Sequence, residues 1–291
     1  MKQVLANALV AGSIYSLVAI GFSFVWSVTR FFHFAHGAIY SLSAYATYVA
    51  VKFLHMPLAI GVVIGILVGA TSGAATEFAV YRRLRKRHAT PVVLLLSSLG
   101  LLIVIQNFIS LFFGDQPRVL RTGGVSEGVA FVSVRLTTFQ IVILLTNVLL
   151  TGFVWFGLQR TQLGKVIRAV ASDPDLGNIC GIAVDRTIML VFAVGSAIAA
   201  IGAIAVGLDT DLTPAMGFNA LLMGAAAAII GGFGSVAGAF TGGLLVGFVQ
   251  HFGVWKLPTE WQDAIVFIVV LLFLILRPQG FFGKPLRSAH A

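Results

Sequence analysis

Apolar residues run along this chain in long unbroken stretches. Residues 58–80, 91–113, 136–158 and 187–208 each reach the length of about 20 residues that a helix needs to cross a bilayer. Residues 4–28 and 261–276 form two more stretches near the ends, and 34–51 is a further candidate. None alternates polar with apolar positions, which argues against a membrane β-barrel. The first stretch is longer than a signal-peptide core, and no A-x-A site leading into a polar domain follows it, so it is expected to be a membrane helix.

Two places interrupt this pattern. Residues 218–252 hold two apolar stretches split by GGFGS (231–235), which predicts two short helices meeting at a glycine turn. FFHFAHG (31–37) lies between 4–28 and 34–51. Simple alternation puts the N-terminus outside, and a break within the membrane at 31–37 reverses that. The expected architecture is an all-α polytopic membrane protein of eight or nine segments, a single membrane domain over 1–291, with a broken glycine-rich helix pair. Small residues recur every fourth position, at Gly61, Gly65, Gly69 and Gly73, at Gly195, Ala199, Ala203 and Gly207, and at Gly238 and Gly242. In lipid such stripes let helices approach closely, and packing within the chain is the expected use.

Composition agrees with the pattern. Of the 291 residues, 58% are hydrophobic and 10% charged, too few charges to cover a water-facing surface. The net charge of +9 is concentrated rather than spread. YRRLRKRH contributes Arg82, Arg83, Arg85, Lys86 and Arg87, read as a short loop between spans. Arg160, Lys165, Arg168 and Arg186 form a second group, and Arg277, Lys284 and Arg287 a third. By the positive-inside rule these three places and the C-terminus are cytoplasmic, and a nucleic-acid partner is not indicated. Residues 52–57, 114–135, 209–217 and 253–260 then face outward, the second of these carrying Asp115, Arg118, Arg121, Glu127 and Arg135.

The chemistry is sparse. The central parts of the spans carry no Asp, Glu, Lys or Arg, and Glu77 lies beside the basic loop, where it is expected to pair. An ion-coupled carrier normally places ionisable groups along its path. The chain has no G-x-x-x-x-G-K-[ST] phosphate loop, and GGFGS has no lysine and follows a membrane helix rather than a strand. The chain is therefore not expected to be an enzyme, and any ATP hydrolysis belongs to another subunit. His33 and His36 stand three apart, with no third ligand near them in sequence, so no metal or cofactor is expected and hydrogen bonds to backbone carbonyls are the plainer use. One cysteine, Cys180, excludes an internal disulfide.

The longest polar interruption is RTQLGKVIRAVASDPDLGNICGIAVDR, residues 160–186. Residues 163–171 suit a short helix. Asp173 suits an N-cap, Pro174 the first helical position and Asp175 the positive helix end, while Gly181 suits the stop. Leu176, Ile179 and Cys180 then form a small apolar face on a charged frame. A plain linker needs no capped helix with such a face, so a docking element is the expectation.

RAVASDPDLGNICGI, FHFAHGAIY and GGFGSVAGAFTGGLLVG together resemble the permease subunits of branched-chain amino-acid ABC importers. The first resembles their cytoplasmic coupling loop, R-A-x-A-x-D-x-x-x-A-x-x-x-G-I, matched at Arg168, Ala169, Ala171, Asp173, Gly181 and Ile182. Pro174, Asp175, Leu176 and Gly177 complete that segment. The second matches N-F-A-H-G at Phe34, Ala35, His36 and Gly37, and the third matches G-G-x-G-S-x-x-G-A at Gly231, Gly232, Gly234, Ser235 and Gly238. His33 stands where the family usually has Asn, and Gly177 where it usually has Ala. The resemblance implies an ATP-driven importer half for branched-chain or similar apolar amino acids in a bacterial inner membrane. It implies two cytoplasmic ATPases, a second related permease and a periplasmic substrate-binding protein, and it points to His33, Phe34, His36, Gly37 and the glycine segment as candidates for the gating path. Urea and short-amide permeases share this family, and a secondary carrier or channel is the alternative from outside it.

Overall fold

The computed structural model describes residues 1–121, 129–131, 134–253 and 258–283. Glu127, Lys284 and Arg287, and part of the expected outer segment 253–260, lie outside these residues. The chain is built of helices α1 (Lys2–Thr29), α2 (Ala35–Tyr48), α3 (Leu58–Thr76), α4 (Arg82–Lys86), α5 (Pro91–Phe113), α6 (Thr138–Arg160), α7 (Gln162–Ser172), α8 (Pro174–Ile179), α9 (Val184–Asp209), α10 (Met216–Gly231), α11 (Val236–Gly253) and α12 (Gln262–Leu276). Among the described residues, seven helices are long and apolar enough to cross a membrane. The shorter α10, and α2 with the π-helical turn Val49–Phe53 that continues it, bring the segments to the upper end of the expected eight to nine. The chain is an all-α multi-pass membrane protein.

The basic stretch YRRLRKRH is not the loop its charge indicated. The helix of α3 continues through a π-helical turn at Glu77–Tyr81 into α4, and the chain leaves the helix at His88, φ 54°. Arg, Lys and Leu are good helix formers, so the basic run extends the span it follows. Residues 114–135 also differ from a plain loop. Val129–Phe131 (β1) pairs antiparallel with Val134–Leu136 (β2), Val129 opposite Leu136. Strands of three residues are too short to stand out from an apolar neighbourhood.

α1 is the centre of the bundle and packs against α6, α9, α10 and α11. Glycine lets it approach two of them to backbone contact. A Cβ on Gly21 would lie 2.5 Å from the Gly195 carbonyl oxygen, and one on Gly12 would lie 2.8 Å from Leu244 Cα. The stripe on α3 is likewise consumed inside the chain. Gly61 and Gly65 face Thr47, Gly69 faces Ser43 and Ala200, and Gly73 faces Ser196 and Phe192. As α3 ascends, its partners on α2 and α9 descend, so α3 runs antiparallel to both. With no water to drive helices together, close van der Waals contact over such stripes holds the bundle.

The ends of the bundle differ in chemistry. At the hairpin end, Gln3 Nε2 donates to the Arg135 carbonyl at 3.0 Å, and Arg118 and Leu212 exchange backbone hydrogen bonds of 2.9 and 2.8 Å. Thr137 caps α6 reciprocally with Gln140, each bond 3.2 Å. At the other end, here the loop end, lie α4, α7 and α8 and residues 277–283. α1 is unbroken to Thr29 and runs from the hairpin end to the loop end. The interruption at 31–37 therefore starts a new crossing instead of splitting one, and the N-terminus sits opposite α7 and α8, as simple alternation indicates.

Candidate functional site

The segment 160–186 folds as its punctuation predicts. Thr161 Oγ1 accepts from Gly164 N at 3.0 Å and opens α7. Gly164 has no room for a Cβ, which would overlap the Gly157 and Leu158 carbonyls, so α7 folds back directly under α6. Ile167 and Val170 are buried against the bundle, with Arg168 and Ala169 on the exposed side and Ala171 between. Asp173 then caps α8, its Oδ1 accepting from Asp175 N at 2.9 Å and Leu176 N at 3.0 Å, with Pro174 at the first position. Gly181 ends the turn with φ 80°, and Ile182 N returns to the Gly177 carbonyl at 2.9 Å. Leu176 and Ile179 are 58% and 80% exposed, and Cys180 is exposed beside them. Gly177 is buried, yet a Cβ there would meet Val184 Cγ2 at 3.5 Å, ordinary contact.

This loop is tied to α3 and α4 by charge. Asp185, in the first turn of α9, accepts from Arg82 Nε at 2.8 Å and lies 3.5 Å from Arg85 Nη2. Arg85 also clamps Glu77, whose side chain is 1% exposed, with one of the two bonds at 3.0 Å. The pairing expected of Glu77 beside the basic run is thus present.

The GGFGS segment forms the turn between α10 and α11. Gly232 and Gly234 have φ of 98° and 80°, conformations that L side chains rarely adopt. Gly231 and Gly238 face each other across the pair, and a Cβ on either would overlap the other's carbonyl. Ser235 caps α11, its Oγ accepting from Gly238 N at 3.0 Å. The last carbonyls of α10, at Ile230 and Gly231, accept from Phe281 N and Phe282 N, both at 2.9 Å. A helix end buried in a membrane protein needs such partners, and RPQGFFG supplies them from the far end of the chain.

The FFHFAHG segment joins α1 to α2. Arg30 turns the chain with φ 56°, and Ser98 Oγ bonds both Phe32 O and Phe34 N at 3.1 Å. Phe34 is the residue before α2. His33 and His36 are both buried, their rings 5.8 Å apart. His33 Nδ1 is 3.1 Å from the Tyr81 hydroxyl, so its partner is a side chain and not the backbone carbonyl its burial indicated. His36 packs at the Gly21–Gly195 crossing, and Gly37 packs against Gly217 and Leu221 of α10. Among the described residues no three His, Cys, Asp or Glu side chains are grouped as a metal ion requires.

The last two turns of α1, with Arg30 just after them, touch all three motifs. Phe22 lies 4.8 Å from Phe32 and 6.2 Å from Phe233, ring centre to ring centre. Trp26 stacks on Phe233 at 4.4 Å. Ser23 Oγ accepts from Gly234 N at 3.1 Å, and Arg30 donates to the Ala171 carbonyl at 3.1 Å. Between these groups is a cavity of about 690 Å³, walled by α1 at Ser27, α6 at Gln159, α7 at Arg168 and the glycine turn at Ser235. Sequence reasoning did not single out Ser23, Trp26 or Arg30. Their only signal is position: Ser23 and Trp26 lie about two turns and one turn before Arg30, where the chain leaves α1.

A family model described as branched-chain amino acid transport system / permease component matches residues 4–274. The chain is 31% identical to the high-affinity branched-chain amino acid transport system permease protein BraD of Pseudomonas aeruginosa, over 97% of this chain and 96% of the relative. It is 30% identical to the corresponding protein LivH of Escherichia coli K12 over the same shares. The xylose transport system permease protein XylH of Escherichia coli K12 is 32% identical over 45% of this chain and 35% of its own length. No solved structure matches.

Proposed function

Since the chain belongs to the family of branched-chain amino acid transport system permease components, we propose that it is one half of the membrane channel of an ATP-driven importer for branched-chain or similar apolar amino acids. In this reading the loop end faces the cytoplasm of a bacterial cell, in keeping with its basic residues, and the C-terminus lies on the same side of the inner membrane. The whole chain acts as one permease domain. A second permease completes the path, a periplasmic binding protein delivers substrate, and two ATPases dock on α7 and α8.

The observation that carries the reading is the convergence on the last two turns of α1. An ATPase that moves α7 pulls on the carbonyl held by Arg30. The same helix holds the glycine turn through Ser23 and Phe22, and the FFHFAHG return through Phe22. Leu176, Ile179 and Cys180 offer an apolar patch that a water-soluble subunit would cover. A rigid α1 transmits a displacement of α7 to both segments that line the crossings of α2, α10 and α11. Steric contact between glycine backbones lets these helices re-register without moving bulky side chains.

Proteoliposomes holding this chain with its partner permease and ATPases test the reading. ATP-dependent accumulation of leucine, delivered by the binding protein and competed by isoleucine or valine but not by urea, is the expected result. Accumulation that persists without ATP and follows a proton or sodium gradient would contradict it, and competition by urea or acetamide would reassign the substrate.

A further inference from the structure

The cavity at the loop end has a composition that coupling does not require. Arg30 and Arg168 both line it, one turn apart in reach, since Arg30 donates to Ala171, three residues beyond Arg168. Arg168 makes no ion pair among the described residues, and no Asp or Glu among them lines the cavity. Both side chains reach solvent, which screens their mutual repulsion, and together they leave the cavity mouth with two unpaired positive charges that an anion would neutralise. α11 adds further donors. Its first residues, Val236 and Ala237, line the cavity, and their amides precede any acceptor within the helix, while Ser235 already accepts from Gly238. Phe24, Trp155 and Phe282 supply the apolar part of the wall, and Trp155 is 48% exposed on the outer side of α6.

We propose that this cavity binds a phosphate group, held by the guanidinium groups of Arg30 and Arg168. Guanidinium forks match phosphate oxygens in pairs, which a monatomic anion such as chloride cannot do. The aromatic and apolar wall favours a phosphate that carries an acyl chain, the head group of an anionic membrane lipid, over free phosphate. The depth agrees, because Trp155 sits within two turns of the end of α6, where amphipathic rings take the head-group level. The bound head group would neutralise the junction between α1 and α7.

The test uses the purified full chain in detergent, with thermal unfolding and native mass spectrometry against phosphatidylglycerol, phosphatidylcholine and inorganic phosphate. Phosphatidylglycerol is expected to be retained and to raise the unfolding midpoint, and phosphatidylcholine is not. The double variant Arg30→Gln with Arg168→Gln is expected to lose roughly tenfold or more in phosphatidylglycerol affinity, at about 1 kcal/mol per basic residue near a lipid surface. Ala237→Phe fills the cavity without changing charge and is expected to lower retention in the same way, which keeps the test usable if the double variant misfolds. A shift by inorganic phosphate alone supports the site and assigns it to a soluble ligand. Equal retention of phosphatidylglycerol and phosphatidylcholine, or unchanged retention in both variants, overturns the proposal.

Discussion

The guanidinium of Arg30 donates to the main-chain carbonyl of Ala171 at 3.1 Å, joining the end of the central helix α1 to the amphipathic helix α7. Arg30 holds this position with φ 56°, a conformation that glycine adopts without strain and arginine does not. Arg30→Gly relieves left-handed strain of about 1–2 kcal/mol but loses the Ala171 bond and adds glycine's folding entropy, so fold stability is expected to stay within about 1 kcal/mol of the parent. Transport in the assembled system is expected to fall all the same. Thermal unfolding in detergent and leucine uptake in proteoliposomes measure the two quantities separately.

Asp173 satisfies two amides at the start of α8. Asp173→Ala removes the cap and is expected to weaken the α8 turn by about 1 kcal/mol, whereas Asp173→Asn retains an acceptor and most of the effect. ATPase association, measured by co-purification, is expected to follow that order: parent, then Asn, then Ala. Equal association of all three would show that the capped shape of α8 is not what the ATPase recognises.

Gly177 is the opposite case. It is the residue of the loop motif that departs from the resembled pattern, and the structure leaves ordinary contact distance for a methyl group. Gly177→Ala is expected to stabilise α8 by up to about 1 kcal/mol, the difference between glycine and alanine inside a helix. Protease protection of the 160–186 segment reads this locally, with slower cleavage the expected direction.

The glycines divide into two classes that one experiment separates. A Cβ on Gly231 or Gly65 would overlap Gly238 O or Thr47 Oγ1, while one on Gly100 would meet nothing within 4 Å. Gly231→Ala and Gly65→Ala are expected to cost about 1–3 kcal/mol by overpacking. Gly100→Ala is expected to be neutral or mildly stabilising. Unfolding midpoints of the three variants check the ranking, and a destabilised Gly100→Ala would show that α5 abuts something outside this chain.

Tyr81→Phe removes the hydroxyl that meets His33 Nδ1 at 3.1 Å inside the bundle. A buried polar atom left without its partner costs about 1–3 kcal/mol. The variant is expected to unfold earlier by that amount. His33→Asn, which restores the residue type usual in the family, is expected to retain a partner for Tyr81 and to cost less than His33→Leu.

The helices were legible because a membrane span declares itself by length and polarity alone. Pro91–Phe113 was bounded to the residue, with Pro91 at the first position and Gly114 just past the end. The capped α8 and the α10–α11 turn were legible for a different reason: Asp-Pro-Asp and Gly-Gly-Phe-Gly-Ser impose backbone conformations locally. What local sequence does not carry is the identity of distant partners. Nothing near Ile230 announces that Phe281 will satisfy its carbonyl, and nothing near Ser23 announces Gly234. The extension of α3 into α4 is not legible because a run of charge reads as a loop, although Arg and Lys sustain a helix once their heads reach water or a carboxylate such as Glu77. The apolar surfaces of α5, α6 and α12 carry no periodic mark distinguishing lipid from a protein neighbour, so the face that would meet the proposed second permease is not legible either.

The most direct test of coupling through α1 is the number of leucine molecules accumulated per ATP hydrolysed in proteoliposomes of the assembled transporter, comparing the parent with Arg30→Gly. The expected result is hydrolysis close to the parent's, with the leucine-to-ATP ratio down roughly fivefold or more, the lower range of a coupling free energy between distinct sites. An unchanged ratio at an unchanged hydrolysis rate would contradict the assignment of α1 as the link between the α7–α8 loop and the glycine turn.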